Sequence, residues 1–223
     1  MATKAVLAQL AVAFAAKTGQ QVGIESVGGV DAAMRINAGE AFDIVLLASD
    51  ATDRLISSGH LAPYSRVDWA HSPVAVAVAS NSNAPDISNA AALKQAVLAA
   101  ASVSYSTGPS GVYLAQLFGR WGIADEVKPK LVVPPPGISV GSLLASGQVT
   151  LGFQQLSELI NLSGVKLLGT LPAEVAFTTI FSAATPFSLD SQRQQTAQTF
   201  SAFLNSPDAN AIKHLHGMTP AQN

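Results

Sequence analysis

Dense apolar segments that alternate with amphipathic helical segments constrain the fold of this chain more than any other sequence feature. Two of these segments, FDIVLLAS (42–49) and PVAVAVAS (73–80), are almost unbroken apolar runs. Such runs are typical of strands that are covered on both faces in a parallel sheet. A helical segment that ends at Gly59 follows the first run, and this alternation builds right-handed crossover units. The pattern therefore predicts an α/β fold.

The same alternation extends over the whole chain. Leu7, Leu10 and Phe14 recur at helical spacing, which predicts a first helix. Thr3 is its expected N-cap and Gly19 its terminator. Further strands are predicted at 21–27, 103–106, 131–133, 149–153 and 176–184. Further helices are predicted through 32–36, at 50–58, near 88–100, through 114–118, from Gln154 onward, near 190–204 and at 207–215.

Two of the predicted strands divide the chain into two lobes. Lobe one is predicted to comprise 1–72 and 185–223, and lobe two 73–184. The strands at 73–80 and 176–184 are the expected crossings, and two crossings make a hinge. Open α/β sheets bind ligands beyond the carboxyl ends of their strands. We therefore expect a two-lobed clamshell whose strand-to-helix loops line one cleft.

Composition argues against several functional classes. Only 12% of the 223 residues are charged, and 12 basic residues nearly balance 14 acidic ones. Nucleic-acid binding draws on clustered Lys and Arg, whereas the longest basic feature here is the pair Lys128 and Lys130. The absence of cysteine removes disulfides, thiolate catalysis and sulfur-ligated zinc, although it does not determine the compartment. We therefore expect no nucleic-acid partner.

The start of the chain resembles a secretory signal, because VLAQLAVAFAA follows Lys4. The helical spacing of its apolar residues favours an amphipathic helix of the folded protein instead. If the protein is exported, its signal has been removed from this chain, and we then expect a periplasmic location. No apolar run reaches the roughly 20 residues of a membrane-spanning helix, so no stable membrane insertion is expected.

Two loops share the design of an anion site. Each follows a predicted strand, contains small residues and opens a helix: SVGGV (26–30) and STGPSG (106–111). Free N–H groups at a helix start bind oxyanions, glycines allow close approach, and hydroxyls add donors. The candidate ligand-binding residues in these loops are Gly28, Gly29, Ser106, Thr107, Gly108 and Ser110. Ordinary turns and caps are the alternative for either loop alone, and the occurrence of two such loops favours anion binding.

Other polar residues lie near predicted strand ends. Ser49 ends an apolar strand and either contacts the anion or caps the following helix. Gln154 and Gln155 follow another strand and are further candidates. Arg66 and His71 flank the first crossing, where either could direct a cation toward the ligand or remain on an exposed loop.

Enzyme and metal motifs are mostly absent from the sequence. There is no GxxxxGK phosphate loop, and GPSG (108–111) matches neither a GxGxxG fingerprint nor a GxSxG elbow. His214 and His216 are two residues apart on a predicted helix, so they do not share a face. We therefore expect no metal site and no cofactor.

Several segments follow one another in a characteristic order. They are VGGVDAA, GEAFDIVLLAS, YSTGPSGVYLAQLFGRWGI, PPPGISVGSLLASGQVTLGFQQLSEL and FLNSPDANAIKHLHGM. This order resembles the type II periplasmic-binding-protein superfamily over nearly the whole chain. Within it, the chain looks like the molybdate-binding-protein-like family, and YSTGPSG and LGFQQLSEL look more like a branch that includes bacterial aconitate isomerase. The resemblance implies the two-lobed type II fold.

The resemblance also implies ligand contacts from residues already named above: Gly28, Gly29, Ser49, Ser106, Thr107, Ser110 and Gln154. Members of the superfamily begin with a strand and a Ser-bearing loop ahead of the first helix, whereas three residues precede it here. Thr3 is the expected substitute for that serine. If that strand is missing, we expect its sheet position to be empty and one wall of the anion site to be absent, unless another chain fills it.

Two functional hypotheses follow. The first is a receptor that captures a small oxyanion or carboxylate and delivers it to a membrane component of an ABC transporter. The second is an isomerase that moves a proton on an unsaturated tricarboxylate such as aconitate, which requires a base near the ligand. The candidates for that base are His71, Glu25 and Glu158, of which His71 has the most suitable ordinary pKa range.

Overall fold

Residues 2–135, 137–187 and 189–221 are described by a computed structural model. The helices are α1 (Lys4–Thr18), α2 (Gly29–Asn37), α3 (Ser49–Ser57), α4 (Ala90–Ala99), α5 (Pro109–Arg120), α6 (Ala124–Val127), α7 (Val140–Ala145), α8 (Leu156–Leu159), α9 (Ser191–Leu204) and α10 (Pro207–Leu215). The strands are β1 (Val45–Ala48), β2 (Val67–Ala79), β3 (Val103–Tyr105), β4 (Leu151–Gln155), β5 (Val165–Thr170), β6 (Thr178–Ala184) and β7 (Thr219–Pro220). The expected α/β architecture is confirmed.

The chain forms two compact units. Unit 1 contains the residues up to Ser72 and those from Ile180 onward, and unit 2 contains Pro73–Thr179. Strands β2 and β6 run through the two division points, so the chain passes from one unit to the other within a strand each time. The sequence-based return boundary was 184/185, five residues after the division at 179/180.

Unit 2 is built on a sheet that is covered on both faces. Strands β3 and β4 are parallel, and β4 and β5 pair antiparallel with β2. Alternate residues of β2 enter different cores: Val74 and Val76 lie in the core that includes Leu114 of α5, and Ala75 and Ala77 lie in the core with α7. This double coverage explains why the segment at 73–80 is apolar at nearly every position.

Unit 1 is held together by an aromatic core. Phe14 of α1 contacts Phe200 and Phe203 of α9, with ring centroids 5.1 and 5.5 Å apart. Trp69 of β2 is fully buried, and its ring centroid lies 6.4 Å from that of Phe181 in β6. The predicted first helix is confirmed, because its stripe of Leu7, Leu10 and Phe14 is buried here.

The strand predicted at 21–27 is wrong in this structure. The segment is extended and its residues alternate between exposed and half-buried, but it has no ladder partner among the described residues. A cavity of about 430 Å³ separates it from β1 and is also lined by Thr3 and Leu7 of the α1 region and by Ile36 of α2. A strand is defined by its ladder bonds, so the correct alternation alone did not produce one.

Two smaller predictions also need correction, and one strand was missed. Gln154 lies within β4 and does not begin a helix. The segment at 131–133 contributes only an isolated bridge from Leu131 to Val103, and strand β5 was not predicted. Within the described residues, no helix combines the length and the apolar character that crossing a bilayer requires.

Candidate anion site

The parallel pair β3 and β4 brings two polar segments to one edge of the unit 2 sheet. Tyr105 at the end of β3 lies opposite Phe153 of β4. The loop that starts at Ser106 therefore leaves the sheet beside Gln154 and Gln155. The carboxyl ends of parallel strands are where α/β sheets bind ligands, so a ligand site is expected at this edge.

The start of α5 offers hydrogen-bond donors without a competing acid. The Ser106 and Ser110 hydroxyls are 2.8 Å apart and bond to each other. Gly108 is the N-cap, and its carbonyl accepts from the amides of Gly111 and Val112. The first turn of α5 contains no acidic residue. The positive end of the helix dipole is therefore not neutralised by the helix's own side chains.

Gly111 determines how closely α5 approaches the strand that precedes it. A Cβ atom at this position would lie 1.6 Å from the Ser106 carbonyl oxygen. No other residue fits without moving the loop, so the glycine sets the geometry of the anion loop. Gly111 ends the STGPSG segment, but the sequence alone did not distinguish it from the other small residues of that loop.

The two glutamines at the end of β4 have different roles because their side chains leave opposite faces of the strand. The Gln154 Oε1 atom accepts a hydrogen bond from the Gly141 amide at 2.9 Å, at the start of α7. The Gln154 side chain also bonds to Glu158. Gln154 is 3% exposed. Through these two hydrogen bonds it links α7 to α8.

Gln155 has one engaged and one unengaged amide atom. Its Nε2 donates to the Thr179 hydroxyl at 2.6 Å, and both side chains are buried. Its Oε1 is sealed from solvent and has no hydrogen-bond partner among the described residues. Buried polar atoms without a partner are rare. The role of Thr179 was not predictable from the sequence, because Thr179 lies in an ordinary β-branched strand segment.

Glu158 is a carboxyl group that retains its proton to higher pH than usual. Burial raises the pKa of Glu158, and the hydrogen bond from Gln154 opposes this effect only in part. A carboxyl group with a raised pKa can both accept and return a proton near neutral pH.

The corresponding loop of unit 1 differs in its electrostatics. Gly28 is the N-cap of α2, and its carbonyl accepts from the Ala32 amide at 2.8 Å. Asp31 lies in the first turn, and its Oδ2 is 3.0 Å from the position that a Cβ of residue 28 would take. A carboxylate therefore already faces this helix start. Gly29 has open space on its Cβ side.

Comparison with known proteins identifies the family to which the chain belongs. A family model described as bacterial extracellular solute-binding protein matches residues 1–219. The chain belongs to this family. A curated relative, the aconitate isomerase of a Pseudomonas species, is 37% identical over 189 residues, which cover 83% of this chain and 70% of the relative.

Solved structures show the same fold. The periplasmic molybdate-binding protein of Azotobacter vinelandii has a TM-score of 0.79 and 24% identity, with 99% of this chain and 96% of that chain covered. The tungstate-binding protein TupA of Desulfovibrio alaskensis has a TM-score of 0.66 and 17% identity, with 97% and 93% covered. The type II periplasmic-binding-protein fold expected from the sequence is confirmed.

Other residues predicted for the site lie in unit 1 of this solute-binding protein. Ser49 is the first residue of α3, whose N-cap is Ala48 and whose first turn contains Asp50. Thr3 precedes α1 and makes no side-chain cap bond; it lines the cavity beside the segment at 21–27.

Arg66 of the solute-binding protein is held by two carboxylates. Its guanidinium bonds to both oxygens of Asp53, at 2.7 and 2.6 Å, and to both oxygens of Asp68, at 2.9 Å each. The hydrogen bond with Asp68 raises the pKa of Arg66. Burial raises the pKa of Asp68, but hydrogen bonds from Arg66 and Ser182 outweigh it and leave the pKa lowered. The positive charge of Arg66 is thus balanced within unit 1.

The remaining candidate bases lie in unit 1. His71 is part of β2 and lies opposite Thr219 of β7. Glu25 forms an ion pair with Arg35 at 2.7 Å, and this hydrogen bond lowers the pKa of Glu25. Arg35 also pairs with Glu40. Of the two carboxyl candidates, Glu25 and Glu158, only Glu158 has a pKa that moves toward neutrality.

Proposed function

We propose that this solute-binding protein captures one small anion, an oxyanion or an organic carboxylate, at the start of α5 in unit 2. The observation that carries the proposal is the α5 start itself. It joins an acid-free first turn, the bonded hydroxyls of Ser106 and Ser110, and the adjoining ends of two parallel strands. Thr107 and Gly108 complete the loop and contribute backbone amides.

The binding strength of such a loop is sufficient for a receptor. Each charge-assisted hydrogen bond contributes about 1.5–3 kcal/mol. Four or five of them, less the cost of ordering the ligand, reach the roughly 8 kcal/mol of a micromolar complex. The amides of Thr107, Gly108 and Ser110, together with the hydroxyl hydrogen that the Ser106–Ser110 bond leaves over, offer four donors.

The chemistry of the relatives narrows the ligand class. Two structural neighbours are named for molybdate and tungstate, and the curated relative is named for aconitate. All three are small anions with several oxygen atoms. Gly28, Gly29, Ser49, Thr3 and Arg66 remain proposed contacts of the same ligand class, and Gln154 remains one in unit 2.

A delivery partner and a location belong to the same proposal. Members of this family are extracellular solute-binding proteins. We assign this chain a periplasmic location and a role in presenting its anion to the membrane component of an ABC transporter.

Titration calorimetry with molybdate, tungstate, phosphate, citrate and both aconitates tests the proposal. We expect at least one anion to bind with micromolar affinity, and Ser110→Ala to weaken binding about tenfold because a donor is lost. Ser146→Ala is the matched control, since Ser146 is exposed in unit 2 away from α5, and it should bind like the wild type. Binding of no anion, or equal effects of the two variants, contradicts the proposal.

A second candidate function is isomerisation of an unsaturated tricarboxylate, and Glu158 favours it. As a carboxylate, Glu158 would remove a proton from the methylene carbon of aconitate. The electron pair of that C–H bond would form a new C=C bond between the methylene carbon and the central carbon. The electron pair of the original C=C bond would move to the carbon at its other end. The same carboxyl group would return its proton to that carbon. No cofactor is required for this balanced step.

Ultraviolet measurement of aconitate interconversion separates the two candidate functions. If the protein is an isomerase that uses this base, Glu158→Gln abolishes turnover, while Glu126→Gln on the exposed surface of unit 2 leaves it unchanged. His71→Ala tests the alternative base. Binding without turnover by the wild type supports the receptor.

A further inference from the structure

Gln155 lies on the same face of the unit 2 sheet as the start of α5. Leu151 and Phe153 of β4 belong to the core that contains Leu114 and Phe118 of α5. Side chains two residues apart in a strand leave the same face, so Gln155 follows them toward α5. In the parallel register, Gln155 lies two residues beyond the Tyr105–Phe153 pair, at the level of the anion loop.

Gln155 is a buried residue whose side-chain hydrogen bonds are incomplete among the described residues. The side chain is 4% exposed, its Nε2 bonds to Thr179, and its Oε1 has no partner among the described residues. On the opposite face, the side chain of Gln154 is engaged at both amide atoms, by Gly141 and Glu158. The missing hydrogen bond therefore indicates that a bound ligand beside the α5 start completes the hydrogen bonding of Gln155.

The Thr179 hydroxyl accepts either orientation of this amide. A hydroxyl can accept from Nε2 or donate to Oε1. When the amide turns over, the bond to Thr179 is kept with its direction reversed, and Nε2 becomes the atom without a partner. An anion at a helix start favours that orientation, because it attracts an N–H donor and repels a carbonyl oxygen.

We propose that Gln155 is a ligand-binding residue of the unit 2 site, whose amide turns over to donate from Nε2 to the anion while Oε1 accepts from Thr179. This inference rests on the proposed function, because it requires an anion at the α5 start. It extends that function by naming a side-chain donor to one oxygen of the ligand. An ionised oxygen accepts a stronger hydrogen bond than the carbonyl of an amide or ester, so neutral analogues at that position bind more weakly.

The test uses two variants of Gln155 and one matched control. Gln155→Glu keeps an acceptor for the Thr179 hydroxyl but removes the donor, and Gln155→Met removes both. Gln148→Glu makes the same charge change at an exposed position of unit 2. Affinity for the best anion of the calorimetric panel is measured at pH 8, together with the melting temperature and the side-chain amide NMR signal of Gln155.

We expect Gln155→Glu to weaken the affinity more than tenfold and Gln155→Met about tenfold, whereas Gln148→Glu stays within twofold of the wild type. The Gln155 amide signal should shift as the wild type is titrated. A purely structural glutamine would lower the melting temperature in Gln155→Met with unchanged affinity and a stationary amide signal, which overturns the inference. If the wild type binds no anion of the panel, the proposed function is wrong, and the inference about Gln155, which requires a bound anion, is then wrong as well.

Discussion

Unit 1 and unit 2 contain loops of the same sequence design but opposite electrostatic character. In unit 2, the first turn of α5 lacks acidic residues. In unit 1, Asp31 faces the start of α2 and Asp50 lies in the first turn of α3. A carboxylate at a helix start offsets the positive end of the helix dipole. We therefore expect the α5 start to attract an anion more strongly than either helix start of unit 1.

The sheets beneath the two loops differ as well. The unit 2 loop follows β3, which pairs with β4 along its whole length. The unit 1 loop follows the extended segment at 21–27, which faces the cavity beside β1. Unit 2 therefore offers a loop that is positioned before the ligand arrives, and such preorganisation reduces the cost of binding.

The largest expected effect is that of Gly111→Ala in unit 2. Its Cβ would lie 1.6 Å from the Ser106 carbonyl oxygen, so we expect a loss of at least about 3 kcal/mol in the free energy of unfolding. Gly119→Ala is the control on the same helix, where a Cβ meets nothing within 4 Å, and it should stabilise the protein by up to about 1 kcal/mol. Chemical denaturation measures both. Equal effects would show that α5 does not pack as described.

The next effect concerns Lys213 of unit 1. Burial lowers the pKa of Lys213 from 10.5 to about 8, although its Nζ bonds to Asn210 and lies 5.8 Å from the Trp69 ring centroid. Between these pH values the unfolded chain binds more protons than the folded chain, so stability should rise with pH through this window by about 2–3 kcal/mol. Denaturation at pH 7 to 10.5 measures the rise.

Two lysine variants provide the controls for this pH dependence. Lys213→Met should be more stable than the wild type near pH 7 and should lose the rise. In unit 2, Lys130 donates to the carbonyls of Val97, Leu98 and Ala100, so Lys130→Met should reduce stability and keep the rise. A wild-type curve without slope between pH 8 and 10 contradicts the assigned state of Lys213.

A change of charge at the helix starts tests the electrostatic contrast directly. Thr107→Asp places a carboxylate just before the N-cap of α5, whereas Asp31 lies in the first turn of α2, and it should weaken anion binding about tenfold, equivalent to about 1.4 kcal/mol. The added charge should also stabilise the helix by about 0.3–1 kcal/mol. Asp31→Asn should have the opposite sign for helix stability and should not weaken anion binding. Calorimetry and thermal denaturation measure the two effects, and unchanged affinity in Thr107→Asp would remove the contrast.

The smallest expected effect is that of Ile24→Ala, and it serves to compare the extended segment at 21–27 with strand β3. Ile24 is half-buried in the segment at 21–27, so Ile24→Ala should cost about 1 kcal/mol or less. Val103 of β3 is fully buried, and Val103→Ala should cost about 2 kcal/mol or more. A loss in Ile24→Ala as large as that in Val103→Ala would mean that the two segments are equally well packed.

Particular residues show what the sequence could predict and what it could not. The alternating strands and helices were predictable because the segment at 73–80 is apolar on both faces, as double coverage requires. The extended character of 21–27 was predictable from its alternation, but its lack of a ladder was not, because a ladder depends on a distant partner. Gln154 was misplaced because a polar residue after an apolar run has the same appearance at a helix start and at a buried strand end.

The candidate site was predictable in its loops and not in its contacts. The Ser106, Gly108 and Ser110 loop was identified by residue type and position. The bond from Gln155 to Thr179 joins positions 24 residues apart, and no local pattern signals it. The acid at Asp31 was readable from the sequence as a first-turn residue, and it was the feature that separated the two loops.

The central claim is that a small anion binds at the α5 start, and backbone NMR tests it most directly. Titration of the wild type with molybdate and with aconitate should shift the amide signals of residues 107, 108 and 110–112 in a saturable manner with at least one of the two. Signals of residues 28–32, where Asp31 competes, should move less. Saturable shifts confined to other parts of the chain, or no shifts with either anion, would contradict the account.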